Sequence, residues 1–119
     1  MNLAKFENAL KIGETAAIEF KRAGGTIEMD TFETVCSFSN RFGGDIYLGV
    51  LDNGTVVGVP ENAAQPMVKN FISAIGNPDL FSPTLYLDPE IFKYRKKTVI
   101  HIHVPSSGEV HSFKKRIYD

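Results

Sequence analysis

A glycine-rich segment is the first place where the chain could do chemistry. Residues 37–59 read SFSNRFGGDIYLGVLDNGTVVGV. A P-loop needs Gly-Lys-Ser/Thr at the start of a helix, and a nucleophile elbow needs Gly-x-Ser-x-Gly between a strand and a helix. Gly43 and Gly44 instead follow a helix-like run and precede an apolar run. The negative end of a helix dipole at Gly43 would repel phosphate. We therefore exclude a nucleotide P-loop, a dinucleotide-binding loop and a nucleophile elbow.

Two histidines alternate in the segment VIHIHV, residues 99–104. His101 and His103 would share one face of a strand, a spacing that can bind a metal ion. No third ligand adjoins them in sequence, although His111 could pair on a neighbouring strand. We interpret both as exposed strand histidines and predict no metal site. Cys36 is the only cysteine, so a disulfide within the chain is excluded, and its position favours a core role.

Positive charge is concentrated near the C-terminal end of the sequence. Residues 1–92 contain 6 Lys and Arg against 12 Asp and Glu, whereas residues 93–119 contain 7 against 2. A basic stripe of this kind can contact phosphates. Lysines on exposed strand edges also prevent aggregation, which is the alternative interpretation.

The bulk composition is that of an ordinary globular domain. The chain has 119 residues, of which 43% are hydrophobic and 23% are charged. The first residues are too interrupted by charge for a signal peptide, and no apolar run is long enough to cross a membrane. We expect one cytoplasmic domain over residues 1–119, without a membrane partner.

Hydrophobic periodicity predicts an α+β domain with a mixed sheet covered by helices. Asp30 and Glu33 resemble a capping box, and Gly43 fits a left-handed helix end. Asp52-Asn53-Gly54 predicts a hairpin between two strands, and a second hairpin is expected to turn near Lys96-Lys97. The predicted order is α-β-α-β-β-α-β-β-β, with helices over 3–10, 30–42 and 63–75 and strands over 16–22, 45–50, 55–59, 84–96, 98–105 and 111–119.

Several segments together resemble the Schlafen/Alba-like DNA-binding domain family. They are ETAAIEFKR (14–22), the glycine-rich segment 37–59, VIHIHVPSS (99–107) and a final strand with a tyrosine. The resemblance implies an N-terminal module of a longer bacterial transcriptional regulator or RecG-like helicase-related protein. We assign the following motif residues to turns and backbone contacts: Asn40, Gly43, Gly44, Gly49, Asn53 and Gly54.

Some Schlafen proteins are metal-dependent RNA nucleases, and their motif maps onto Glu14, Glu19 and Lys21. By that resemblance Asp52 or Asp45 would supply a further carboxylate, and we prefer Asp52. Carboxylates of this kind would hold Mg²⁺ or Mn²⁺, and Lys21 would contact the scissile phosphate. Strand periodicity puts Glu19 and Lys21 on one face. Glu14 lies about 16 Å away in an extended chain, so the chain must bend for Glu14 to join them.

The sequence supports three functional hypotheses. We favour a non-catalytic nucleic-acid-binding module without a cofactor, because of the resemblance and the basic C-terminal third. The alternatives are a metal-dependent endoribonuclease and a dimerisation or protein-interaction domain, since Schlafen cores join two related lobes. Phosphate contacts in the favoured hypothesis would come from Lys21, Arg22, Lys93, Arg95, Lys96, Lys97, Lys114, Lys115 and Arg116.

Overall fold

The structure is a computed structural model that describes residues 2–119. Three helices and seven strands form the described part of the chain. The helices are α1 (Leu3–Ile12), α2 (Met29–Asn40) and α3 (Glu61–Ile75). The strands are β1 (Ile18–Lys21), β2 (Gly44–Leu48), β3 (Phe81–Ser82), β4 (Glu90–Tyr94), β5 (Lys97–Val104), β6 (Ser112–Phe113) and β7 (Arg116–Ile117). No helix in this part of the chain is long and apolar enough to cross a membrane.

Four strands form the main sheet, in the order β1-β2-β5-β4. β1 and β2 are parallel, and α2 lies between them in sequence, so the three elements form a β-α-β unit. β5 is antiparallel to both β2 and β4. The remaining strands form a small sheet in the order β3-β6-β7. The predicted α+β class with a mixed sheet and packed helices is confirmed.

Helices cover both faces of the main sheet, and alternate residues of β2 point into two separate cores. On one face, Tyr47 packs with Phe6 of α1 and Phe20 of β1. On the other face, Ile46 and Leu48 belong to a larger core with residues of α2, α3 and β5. This period-two alternation explains why β2 is apolar almost throughout.

The strand predicted over residues 55–59 is wrong. This segment forms two isolated β-bridges, Val50 with Val56 and Val59 with Thr98, and no continuous strand pairing. Gly54 and Gly58 both have positive φ, so the backbone bends twice and cannot keep an extended ladder. The Asp52-Asn53-Gly54 turn is present, with the Gly54 N–H donating to the Leu51 carbonyl at 2.8 Å. It closes a loop rather than a regular hairpin.

Three other predicted strands and the N-cap of α2 also differ from the sequence prediction. The strand expected over 16–22 begins at Ile18, because a turn precedes it. The strand expected over 84–96 covers only Glu90–Tyr94, since Pro89 has no N–H to donate to a ladder. α2 has no capping box: its N-cap is Glu28, which makes no side-chain cap. The strand expected over 111–119 is instead the short β6–β7 hairpin, and the chain forms an additional strand, β3.

Basic residues occupy the central positions of both two-residue hairpin turns. Arg95 and Lys96 join β4 to β5, one residue earlier than predicted, and have φ of 47° and 69°. Lys114 and Lys115 join β6 to β7, with φ of 49° and 67°. Positive φ at both positions is the requirement of a type I′ turn, which Asn and Gly satisfy with least strain. A left-handed residue with a side chain costs roughly 1–2 kcal/mol.

Gly43 allows the chain to turn from α2 into β2. Its φ is +81°, and its N–H donates to the Phe38 carbonyl at 2.8 Å, so it has the conformation predicted for the helix end. A Cβ on Gly43 would lie 2.6 Å from the carbonyl oxygen of Val104. Helix α2 itself ends at Asn40, and Phe42 therefore projects outward, 95% exposed.

Replacing Gly43 with alanine tests this constraint. We expect Gly43→Ala to lower the free energy of unfolding by about 2–4 kcal/mol, because strain at positive φ adds to a clash with backbone atoms. Urea denaturation would measure the change. Gly25→Ala is the matched control, since a Cβ there meets nothing within 4 Å, and it should change stability by less than about 0.5 kcal/mol. Equal effects of the two substitutions would contradict the role given to Gly43.

Candidate functional site

A tight turn before β1 brings two glutamates together. The N–H of Thr15 donates to the Ile18 carbonyl at 3.0 Å, and the N–H of Ile18 donates back to Thr15 at 3.4 Å. The chain therefore reverses, and Glu14 accepts a hydrogen bond from the Phe20 N–H at 3.0 Å. In this position the Glu14 carboxyl is close enough to Glu19 to contribute to the raised pKa of Glu19. The bend that the sequence required for Glu14 is present.

Glu19 lines a cleft of about 360 Å³ between β1 and α2. Lys21 lies in this cleft, with its ammonium nitrogen 3.0 Å from an oxygen of Asp30 and 3.4 Å from an oxygen of Glu19. Arg41 lies in the wall of the same cleft and stacks on Phe38. A stripe of polar residues on α2 was missed by the sequence analysis, although its three- and four-residue spacing identifies one helix face: Asp30, Glu33, Thr34, Ser37 and Arg41.

Burial controls the electrostatics of this cleft. Burial raises the pKa of Glu19, Lys21 offsets part of that rise, and Glu14 adds to it. For Lys21, burial alone would lower the pKa, but Asp30 and Glu19 outweigh it and raise the pKa. Lys21 is therefore held as a cation between two carboxyl groups.

The predicted nuclease residues do not form a metal site. Glu14, Glu19 and Lys21 are close together, but Asp52 lines a different cleft with Arg22 and Asn53. The ammonium of Lys21 lies between Glu19 and Asp30 and forms an ion pair with each carboxylate. In residues 2–119, no three His, Cys, Asp or Glu side chains are placed to hold a metal ion. The described residues thus do not form a Mg²⁺ or Mn²⁺ centre that is built from three protein ligands.

Asp45, the alternative carboxylate, lies on the opposite face of the sheet. Its Oδ1 is 2.7 Å from His101 Nε2, 3.0 Å from His103 Nδ1 and 3.2 Å from Lys5 Nζ. His101 is only 7% exposed and stacks on Tyr47, so its assignment as an exposed histidine is wrong, whereas His103 is exposed. His101 is buried because α1 covers this end of the sheet, and α1 also places Lys5 next to Asp45.

This cluster carries an ionised carboxylate under partial burial. Burial would raise the pKa of Asp45, but the hydrogen bonds to His101, His103 and Lys5 outweigh it and hold the pKa well below its usual range. Burial, together with the charge of Asp45, raises the pKa of Tyr47 to about 12. Because all three nitrogen groups share one oxygen, the cluster ties α1 to β2 and β5.

Asn40 binds the C-terminal hairpin to α2. Its Oδ1 accepts from the His111 N–H at 2.8 Å, and its Nδ2 donates to the carbonyls of His111 and Tyr118, each at 2.9 Å. The predicted backbone role is therefore found, but its partners are distant in sequence rather than the adjacent glycines. Cys36 is buried beside it, and its thiol donates to the His111 carbonyl, so the expected core role is also found.

His111 does not join the other two histidines. It is buried, and its Nδ1 lies 2.7 Å from the Pro83 carbonyl, which can only accept. Nδ1 therefore carries the proton, and Nε2 accepts from the Ser107 hydroxyl at 2.8 Å. Both ring nitrogens are thus used to hold the segment between β5 and β6.

The predicted phosphate-contacting residues divide into two classes. Lys21 and Lys93 are paired with carboxylates, Lys93 with Glu61 at 3.0 Å. The other seven form no ion pair with any residue of the described chain, and those of the two hairpins are exposed. They are Arg22, at the end of β1, and two hairpin groups, Arg95 to Lys97 and Lys114 to Arg116.

Comparison with known proteins identifies relatives of this fold. Residues 14–119 match the family described as Schlafen, AlbA_2. No curated protein matches the sequence. The solution structure of the N-terminal domain of a RecG-related protein from Nitrosomonas europaea is similar, with a TM-score of 0.66 and 22% identity over 96% of this chain and 86% of that one. A crystal structure of a protein from Corynebacterium diphtheriae is similar with a TM-score of 0.62 and 17% identity, over 94% of this chain and 23% of that one.

The stability of the chain should depend on Asp45 in a defined pH range. Its pKa is lowered on folding, so the ionised carboxylate contributes stability that is complete above the unfolded value of about 3.9 and is lost as pH falls toward the folded value. Asp45→Asn should lower the free energy of unfolding at pH 7 by about 2 kcal/mol and reduce its decline between pH 5 and pH 2. Urea denaturation across this range measures both. An unchanged pH dependence would contradict the assignment, and Asp88→Asn, at an exposed position, is the control.

Loss of the Asn40 side chain should loosen the C-terminal hairpin. Asn40→Ala leaves the N–H and carbonyl of His111 and the carbonyl of Tyr118 without this partner, which should cost about 2 kcal/mol. Amide hydrogen exchange should accelerate in β6 and β7 more than in β2. Asn70→Ala, at an exposed position of α3, is the control and should change neither quantity. Uniform acceleration through the main sheet would indicate a global effect instead.

Proposed function

Because the chain belongs to the Schlafen, AlbA_2 family, we propose that it is a nucleic-acid-binding module that contacts the phosphate backbone. The observation that carries this proposal is the pair of basic hairpin groups, Arg95 to Lys97 and Lys114 to Arg116, which are exposed and free of ion pairs in residues 2–119. Such contacts supply affinity and orientation without reading base sequence.

Two positions from the predicted set contribute less to this surface. Lys21 and Lys93 already neutralise carboxylates, so a phosphate would have to compete with Asp30 or Glu61 for them. Arg22 borders the cleft that contains Asp52, and it remains available at the carboxyl end of β1. The binding surface in the proposal therefore consists of the two hairpin groups together with Arg22.

The wider role of the module is also part of the proposal. The Nitrosomonas relative is an N-terminal domain of a RecG-related protein, and this chain spans 23% of the Corynebacterium one. We assign this chain the role of a non-catalytic N-terminal module in a longer bacterial regulator, in which it brings another domain to nucleic acid.

A metal-dependent nuclease is the second candidate, and one observation favours it. Glu14 and Glu19 adjoin each other beside Lys21, as the nuclease motif requires. It is the weaker candidate because Asp52 lines another cleft and, within the described residues, no three His, Cys, Asp or Glu side chains are placed to hold a metal ion together.

Fluorescence anisotropy with labelled single- and double-stranded DNA and RNA tests both candidates. The titrations are run from 50 to 200 mM salt, with and without Mn²⁺, and each probe is then examined on a gel. We expect binding that weakens by at least about tenfold over this range while the probe stays intact, because phosphate contacts release counterions. Glu19→Gln should leave this binding unchanged.

Other results would overturn the proposal. Affinity that does not change with salt would contradict phosphate contacts. Cleavage that requires Mn²⁺ and disappears in Glu19→Gln would establish the nuclease instead. If neither binding nor cleavage is observed, the chain is better regarded as a protein-interaction module, and light scattering would show whether its partner is a second copy.

A further inference from the structure

The two hairpin turns have the same unusual composition, and this suggests a shared role. We propose that Arg95-Lys96 and Lys114-Lys115 are two phosphate-binding tips whose basic side chains are kept at the cost of backbone strain. The inference rests on the proposed function, because its partner is a nucleic-acid backbone. It adds why these turns are built from strained basic residues and which class of phosphate-bearing partner they suit.

The first observation is a repeated sequence pattern. Residues 94–97 read YRKK and residues 113–116 read FKKR, so each hairpin has an aromatic residue followed by three basic residues. The pattern also has the same register in both. Tyr94 pairs with Lys97 and Phe113 pairs with Arg116, which leaves two basic residues in each turn.

The second observation is the backbone conformation of these turns. All four central residues have positive φ, between 47° and 69°. Asn-Gly would adopt this conformation with less strain, and the chain does place a glycine, Gly54, at positive φ in another tight turn. Strained positions filled by one kind of side chain often indicate a functional requirement. Here the property that all four residues share is positive charge.

The third observation is that these charges are available. Lys5, Lys21 and Lys93 each bind a carboxylate, whereas no residue of either tip forms an ion pair within residues 2–119. The guanidinium of Arg95 lies 5.3 Å from the ring of Tyr94, and the ammonium of Lys114 lies 5.8 Å from the ring of Phe113. Such aromatic contacts orient a cation without neutralising it.

Both tips lie next to other parts of the fold. The backbone N–H of Lys114 donates to the Leu80 carbonyl at 2.8 Å. Arg95 and Lys97 line a cleft with Leu10 of α1 and Gly54 of the neighbouring loop. Two groups of positive charge on separate sheets suit a partner with repeated phosphates, that is, a polynucleotide rather than a mononucleotide.

Replacing each turn with Asn-Gly removes its two positive charges and keeps a sequence that favours the same turn conformation. The variants are Arg95→Asn/Lys96→Gly and Lys114→Asn/Lys115→Gly, and both should unfold at the same or a higher urea concentration than the wild type. Each should bind the best probe from the salt series at least about tenfold more weakly. The slope of log affinity against log salt should fall by about 2, since two phosphate contacts are lost.

The control removes the same charge from helices. Lys11→Gln/Lys69→Gln changes two exposed lysines outside the hairpins, and it should alter affinity by less than about threefold. If the control weakens binding as much as the turn variants do, net charge rather than the tips is responsible. Normal binding by both turn variants would also overturn the inference, and unfolding of either would show that the strain argument is wrong.

The proposed function and this inference fail in different ways. If the wild type does not bind any probe, the proposed function itself is wrong. If the wild type binds with a normal salt dependence and the turn variants bind equally well, only the assignment to the tips is wrong.

Discussion

The structure depends on the covered sheet, and above all on the position of β2 within it. This strand pairs with β1 on one side and β5 on the other, and helices cover both of its faces. Its side chains are therefore mostly apolar or bound inside the fold, although the buried Tyr47 hydroxyl has no hydrogen-bond partner within residues 2–119. Tyr47, Ile46 and Leu48 are fully buried, and the one charged residue, Asp45, is bound by His101, His103 and Lys5. Little of the sheet surface remains for binding.

Functional groups are consequently found where the sheet ends. One such place is the edge beside β1, where a reversal of the chain brings Glu14 to Glu19 and the face of α2 adds Asp30 and Arg41. Its carboxylates, which include Glu19, Asp30 and Glu33, outnumber its two cations, so the cleft is net negative. The hairpin turns are different, because their basic groups project from the fold with no opposing carboxylate in the described residues. A polyanion therefore has more to gain at the turns than in the cleft.

The sequence predicted those features that depend on local patterns. Alternating residues located β1 and β5, an apolar run located β2, and Gly43 has the left-handed conformation that was predicted, although α2 already ends at Asn40. Features that depend on tertiary contacts were not predictable in this way. Asp30 resembled a cap but pairs with Lys21, and His101 alternates like an exposed residue but is covered by α1. The partners of Asn40 lie 71 and 78 positions away, beyond the reach of any local rule.

The conformation of the strained turns is another feature that local sequence patterns did not predict. A turn near residue 96 followed from the two flanking strand patterns, but Lys-Lys and Arg-Lys are poor type I′ sequences, and nothing local predicts the conformation that they adopt. For this reason, a single strand was predicted over residues 111–119, where the structure has the β6–β7 hairpin. A conflict between local preference and structure is expected where a site has a function.

Mapping the binding surface by NMR tests most directly whether the two basic hairpin turns bind nucleic acid. Amide chemical shifts of the ¹⁵N-labelled chain would be followed during titration with a short single-stranded RNA or DNA oligonucleotide. If the two hairpin turns bind nucleic acid, we expect the largest shift changes at residues 94–97 and 113–116, with smaller changes near Arg22. Changes confined to the cleft around Glu19, Lys21 and Arg41, with both turns unaffected, would contradict it.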